Sequence, residues 1–130
     1  MKFVIMIHSH PAPWGHPTGD FTPEFQAIPE EQRAQMGVEF DALLAELHGN
    51  GELVLGEALA DPRAASLYRW GADGPIASDG PFAETKEQFA GFFLIDVADR
   101  ARAEAVAARF AAPGDTIELR PAMWPGADDS

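Results

Sequence analysis

Apolar positions in this chain follow two periodicities, and their order along the sequence draws a fold. Residues 2–8 hold the run Phe3-Val4-Ile5-Met6-Ile7, apolar on both faces of an extended chain, and predict a strand. Residues 9–28 are rich in Pro, Gly and His and predict a long loop, within which Thr22-Pro23-Glu24 suits one helical turn. A helix is predicted from near Pro29, with Glu30 and Glu31 at its positive end. Met36, Phe40, Leu43, Leu44 and Leu47 then recur at helical spacing on one face, and Gly49 and Gly51 supply the stop. Glu52 to Leu59 predicts a second strand, with Leu53, Leu55, Glu57 and Leu59 alternating against Val54, Gly56 and Ala58. Ser66–Trp70 and Pro75–Ser78 predict a short hairpin around Gly71-Ala72-Asp73-Gly74, and Asp79 to Gln88 a polar connection. Phe89 to Val97 is a third main strand, again apolar on both faces. Asp99 is placed to cap a second helix to about Ala112, with Ala103, Val106, Ala107 and Phe110 facing inward, and Thr116 to Arg120 predicts the last strand.

The order is β-α-β-(hairpin)-β-α-β. It predicts an α+β domain with a ferredoxin-like βαββαβ protomer and an inserted hairpin over residues 1–122, followed by a C-terminal tail, 123–130. Two helices cover only one face of such a sheet. The first and third main strands are apolar on both faces, so the second face must also leave water. Another copy of the same sheet is the simplest cover, which predicts a two-fold homodimer.

Composition narrows the classes of function. The 130 residues are 46% hydrophobic and 23% charged, as in a globular protein. Nine basic residues against twenty-one acidic ones give a net charge of −12, which argues against direct binding to nucleic acid or to anionic membranes. There is no cysteine, so thiolate chemistry and disulfides are excluded. No apolar stretch is long enough to cross a bilayer, and the N-terminal run is too short for a signal-peptide core, so a cytoplasmic location is expected.

Several residues are candidates for chemistry. Glu57 sits among strand leucines, and an inward carboxylate needs a cation beside it; Arg120 and Lys86 are the candidates, with ordinary surface pairing as the alternative. His8 is a candidate general base, the role for which imidazole as a residue type is suited. His8 and His10, two apart at a strand end, would need a further ligand to hold a metal; none stands at a diagnostic spacing, so no metal site is assigned. His48 ends a helix, where a cation suits the dipole. Trp14, Phe21 and Phe25 in the first loop suit packing over a pocket or a partner, or a satellite apolar cluster. No nucleotide loop, serine elbow or zinc-helix pattern is present, and no cofactor is implied.

The most specific string is Asp79-Gly80-Pro81-Phe82-Ala83-Glu84-Thr85-Lys86-Glu87. On spacing alone it is turn chemistry followed by a capping box. It also resembles the signature of the DGPF proteins, within the YCII-related family. Gly56-Glu57-Ala58-Leu59, Gly91-Phe92-Phe93-Leu94-Ile95-Asp96-Val97 and Glu118-Leu119-Arg120-Pro121-Ala122-Met123 are similar to further segments of that family. The resemblance covers nearly the whole chain. It implies a dimeric α/β barrel of ferredoxin-like protomers and a pocket between sheet, hairpin and signature loop; it implies no particular reaction. The other branch of the family is thought to use a His–Asp pair with the histidine on the first helix. Phe40 stands at that helix position here, and the pair is not carried over.

These readings place Glu57, Asp79, Lys86 and Arg120, with His8 nearby, around one cavity: Glu57 and His8 for acid–base work, Asp79, Lys86 and Arg120 for holding a polar ligand. Three functions follow: a small-molecule-binding homodimer with acid–base capacity, a non-catalytic accessory protein linked indirectly to an extracytoplasmic-function sigma factor, as the resemblance allows, or a metal-dependent enzyme at the histidine pair. The sequence leaves catalysis itself open.

Overall fold

The computed structural model describes residues 1–11, 13–80 and 87–123. Six strands and three helices run in the order β1 (Lys2–Ser9), α1 (Pro23–Gln26), α2 (Glu30–Gly49), β2 (Leu53–Ala58), β3 (Ser66–Gly71), β4 (Gly74–Asp79), β5 (Gln88–Asp96), α3 (Arg100–Phe110) and β6 (Asp115–Pro121). The main sheet is antiparallel in the order β2-β5-β1-β6, which is compatible with a ferredoxin-like arrangement. β3 and β4 form a separate two-stranded antiparallel ribbon.

Local chemistry accounts for the element ends. Thr22 opens α1 by accepting the Phe25 N–H on its side chain, and Asp99 opens α3 by accepting from Arg102 N. Pro29 is the residue before α2, and Gly51 takes the positive φ of +81° that lets the chain leave that helix for β2.

One face of the main sheet carries α2 and α3. Phe3 and Ile5 from β1, Leu43 and Leu47 from α2, Ile95 from β5, and Ala103, Val106 and Phe110 from α3 form the buried core. Arg102 of α3 pairs with Glu46 of α2 and with Glu52 at the entry to β2, and Arg109 also reaches Glu46, so charge ties the two helices along their solvent side.

Two irregularities decide which side chains share a face. In β2 the pairing passes from Leu53↔Ile95 to Leu55↔Leu94, so Val54 is an extra residue. Plain alternation predicts Leu53, Leu55 and Glu57 on one face; the bulge instead sends Leu53 to the core and leaves Leu55 and Glu57 on the far side with Leu94 and Phe92. In β5 the pairing passes from Ile7↔Gly91 to His8↔Phe89, which makes Ala90 the extra residue and sets Phe89 beside His8. Gly91 is required there, because a β-carbon would lie 2.6 Å from the Glu57 carbonyl oxygen.

The sheet face away from the helices carries Val4, Met6, Leu55, Phe89, Phe92 and Leu94. Within the protomer Leu55 is 43% and Phe89 40% exposed, so the middle of this face is apolar and uncovered by the described residues, with Glu57, His8, Glu118 and Arg120 also on it.

Candidate functional site

A cavity of about 570 Å³ opens between α2, the sheet and the first loop, within the range that holds small molecules. Met36, Gly37, Phe40, Asp41 and Leu44 of α2 form one wall. Gly56, Glu57 and Ala58 of β2 and Ala90 to Phe93 of β5 form the floor, and His16 to Asp20 close a third side, with Phe110 and Asp115 behind. The predicted apolar stripe of α2 is thus divided: Leu43 and Leu47 enter the core, while Met36, Phe40 and Leu44 face the cavity. Phe110 links two aromatic neighbours, Phe40 edge-on at 6.0 Å and Phe93 stacked at 4.7 Å.

The first loop is held by specific bonds. Trp14 Nε1 donates to the Leu59 carbonyl at 3.1 Å, and the His16 ring nitrogen Nε2 donates to the same oxygen. Thr22 Oγ1 lies 2.8 Å from the Pro113 carbonyl, and Phe25 is buried beneath the loop. Of the three aromatics singled out in this loop, Phe25 therefore packs inward, Trp14 ties the loop to the end of β2, and Phe21 stays 39% exposed.

Charge in the cavity is of one sign. Its lining includes Asp20, Asp41, Glu57 and Asp115, and among the described residues it includes no lysine or arginine. Burial raises the Asp115 carboxyl above the ordinary aspartate range, with Glu87 and Asp20 adding to the rise, although Ser9 and Thr18 hydroxyls donate to it. Asp20 is raised by burial and then by the neighbouring charge of Asp41.

A raised folded-state value means that the native protein binds protons more tightly than the unfolded chain. The Asp115 contribution to stability is therefore present at low pH and lost as pH rises through a window above the ordinary aspartate range. Asp115→Asn keeps an oxygen to accept from Ser9 and removes the titration. Melting curves across that window should show the variant gaining on the wild type as pH rises; parallel curves would contradict the shift.

The residues chosen from sequence lie in different places. Glu57 lines the cavity and is exposed, but its strand position faces the open side of the sheet. His8 and Arg120 share that open side. The His8 ring nitrogen Nε2 lies 2.9 Å from Glu118 Oε1, and Arg120 pairs with the other oxygen of Glu118. These contacts hold the Glu118 carboxyl below its ordinary range, the His8 bond foremost. Glu57 and Arg120 stand on opposite edge strands, β2 and β6, three strand spacings or roughly 14 Å apart. Asp79 ends β4 in the separate ribbon, opposite Ser66. Lys86, with the rest of 81–86, lies outside the described residues.

Sequence reading passed over Asp20, Asp41 and Asp115. Asp41 was within reach, four residues after Gly37 and three before Leu44 on the cavity-facing stripe. Asp20 and Asp115 are brought together only by the folded loop. Among the described residues no group of three His, Asp or Glu side chains is arranged to hold a metal ion, and no helix is long and apolar enough to cross a membrane.

Compared with known proteins, residues 1–121 match the YCII-related domain family. A stretch of 40 residues is 55% identical to an uncharacterised protein of Rhizobium meliloti (strain 1021), covering 31% of this chain and 32% of that one. The match thus spans about a third of the length of that relative.

Proposed function

The chain belongs to the YCII-related domain family, and on that premise we propose that it is a cytoplasmic small-molecule-binding homodimer of ferredoxin-like protomers, closed into a dimeric α/β barrel, with acid–base capacity. The cavity between α2 and the sheet is the observation that carries this reading. It combines an aromatic floor with a few polar side chains, the composition that buries a ligand and orients it. In this reading Glu57 is the proton-transferring group at the cavity floor, and His8 is a second one on the open face of the sheet. Glu118 orients the His8 imidazole as a carboxylate does in an acid–base pair. Arg120, Asp79 and Lys86 supply polar contacts from the open side and from the DGPF-like connection, where the partner protomer completes the barrel.

Gly37 offers a direct test. It lines the cavity on a helix, and a β-carbon there would meet nothing within 4 Å. Gly37→Leu places a side chain in the cavity and removes a helix-interior glycine, which is worth about 0.5–1 kcal/mol of stability. The expected result is a variant at least as stable as the wild type that no longer shows the upward shift in melting midpoint caused by hits from a metabolite screen. Glu57→Gln should alter that shift more than it alters the ligand-free midpoint. Hits that bind Gly37→Leu unchanged would place the ligand elsewhere and overturn the cavity assignment.

A further inference from the structure

Resting on that reading, the lining of the cavity also restricts what enters it. Asp20 comes from the turn at 18–21, Asp41 from α2 and Asp115 from the start of β6, so three separate elements aim acidic side chains at one space. Such convergence is a property of the fold, unlike a run of acidic residues along one solvated face. The remaining walls are aromatic and aliphatic, with Phe40, Phe93 and Phe110 in ring contact.

We infer that the cavity takes an organic cation, a protonated amine carrying an apolar body, with the ammonium group at the Asp20–Asp41–Asp115 end and the body against the phenylalanines. An anionic ligand would add to the repulsion already present among these carboxyls and would lose its hydration without a counter-charge among the described lining residues. A neutral apolar molecule would fill the aromatic part and leave the acidic end unused. A protonated amine relieves the repulsion, donates to carboxylate oxygens, and can rest on ring faces that attract cations. A bare metal ion fits less well, since no described trio is arranged to ligate one.

The charge of the site sets a pH signature. Asp115 faces Asp20, Glu87 and the hydroxyls of Ser9 and Thr18; Asp20 faces Asp41; Glu24 of α1 lies beside Gly114, and His16 and Glu57 complete the ionisable lining. An alkylamine stays protonated throughout the carboxylate range. Its affinity should therefore fall as pH is lowered through the values at which Asp20 and Asp115 take up protons.

Three probes of one shape test this: 2-phenylethylamine, 2-phenylethanol and phenylacetate, titrated into the full chain by calorimetry with melting midpoints in parallel. The amine is expected to bind at least tenfold more tightly than the alcohol, and the acid not at all. Asp20→Asn and Asp115→Asn should each reduce that preference severalfold while the alcohol is unaffected, and Gly37→Leu should abolish binding of both. If the alcohol or the acid binds as well as the amine, and Gly37→Leu blocks it, the cation inference fails and the cavity stands. If the amine binds equally to Gly37→Leu, the cavity itself is overturned. If none of the three binds at millimolar concentration, both fail. Amine affinity that does not weaken on acidification would also overturn the inference.

Discussion

Leu47→Ala should lower the unfolding free energy by about 3 kcal/mol, the middle of the range for emptying a fully buried leucine site. Leu47 is 0% exposed on α2 and lies in the cluster with Phe3, Ile5, Leu43 and Ile95, which joins that helix to the centre of the sheet. That cluster includes strand residues fixed in a hydrogen-bonded ladder, which limits how far the site can collapse to fill the void. A domain of this size has a total stability of about 5–15 kcal/mol, so the loss is a large fraction of it. The midpoint should drop on the order of 10 °C. Val38, on the same helix but 61% exposed, gives the control: Val38→Ala should move stability by no more than about 0.5 kcal/mol. A loss below about 1 kcal/mol for Leu47→Ala would mean that α2 is not seated on the sheet as described.

Leu94→Lys is expected to convert a dimer into a monomer. Leu94 lies on β5 between Val4 and Leu55, at the middle of the apolar face that the helices do not cover. If two protomers bury these faces together, the new ammonium group has no described acidic neighbour in its row, where the polar residue is Arg120 across from Val4. An unpaired charge in an apolar interface costs several kcal/mol, which raises the dissociation constant at least about 100-fold. Sedimentation at micromolar concentration should give about twice the chain mass for the wild type and a single mass for the variant. The protomer fold should survive, because the substituted side chain does not enter the core between sheet and helices. A monomeric wild type would remove the barrel, and an unchanged dimeric variant would move the interface off this face.

The main elements follow from sequence because each rests on chemistry local to it. The apolar runs of β1 and β5, the Thr22 and Asp99 caps and the glycines after α2 all act within a few residues. The face assignments in β2 do not. Whether Glu57 follows Leu53 or opposes it depends on the extra residue at Val54, and a bulge is settled by the partner strand, which periodicity cannot see. The candidate site divides in the same way. Glu57 was visible as a charge among leucines. Asp20, Asp41 and Asp115 each looked like an ordinary turn, helix-surface or strand-end aspartate, and only the path of the first loop beside the middle of α2 joins them. Glu118 was passed over for a related reason: its partner His8 is 110 residues away, and only β1–β6 register sets the two side by side.

The extra residue at Val54 also separates chain length from address in β2. Leu55 onward already pairs with Leu94, Phe93 and Phe92 in unbroken order, so removing Val54 would let the strand pair without interruption and leave the two sides of its second half as they are. Glu57 would still share the open side with Phe92, and Gly56, whose missing side chain gives the Phe93 ring its room, would still face the helices. A single-codon deletion, usually read as plain damage to a strand, would here iron out a bulge and leave each later side chain in its own compartment, whereas drawing Val54 into the ladder would relocate the Glu57 carboxylate without changing any residue's identity.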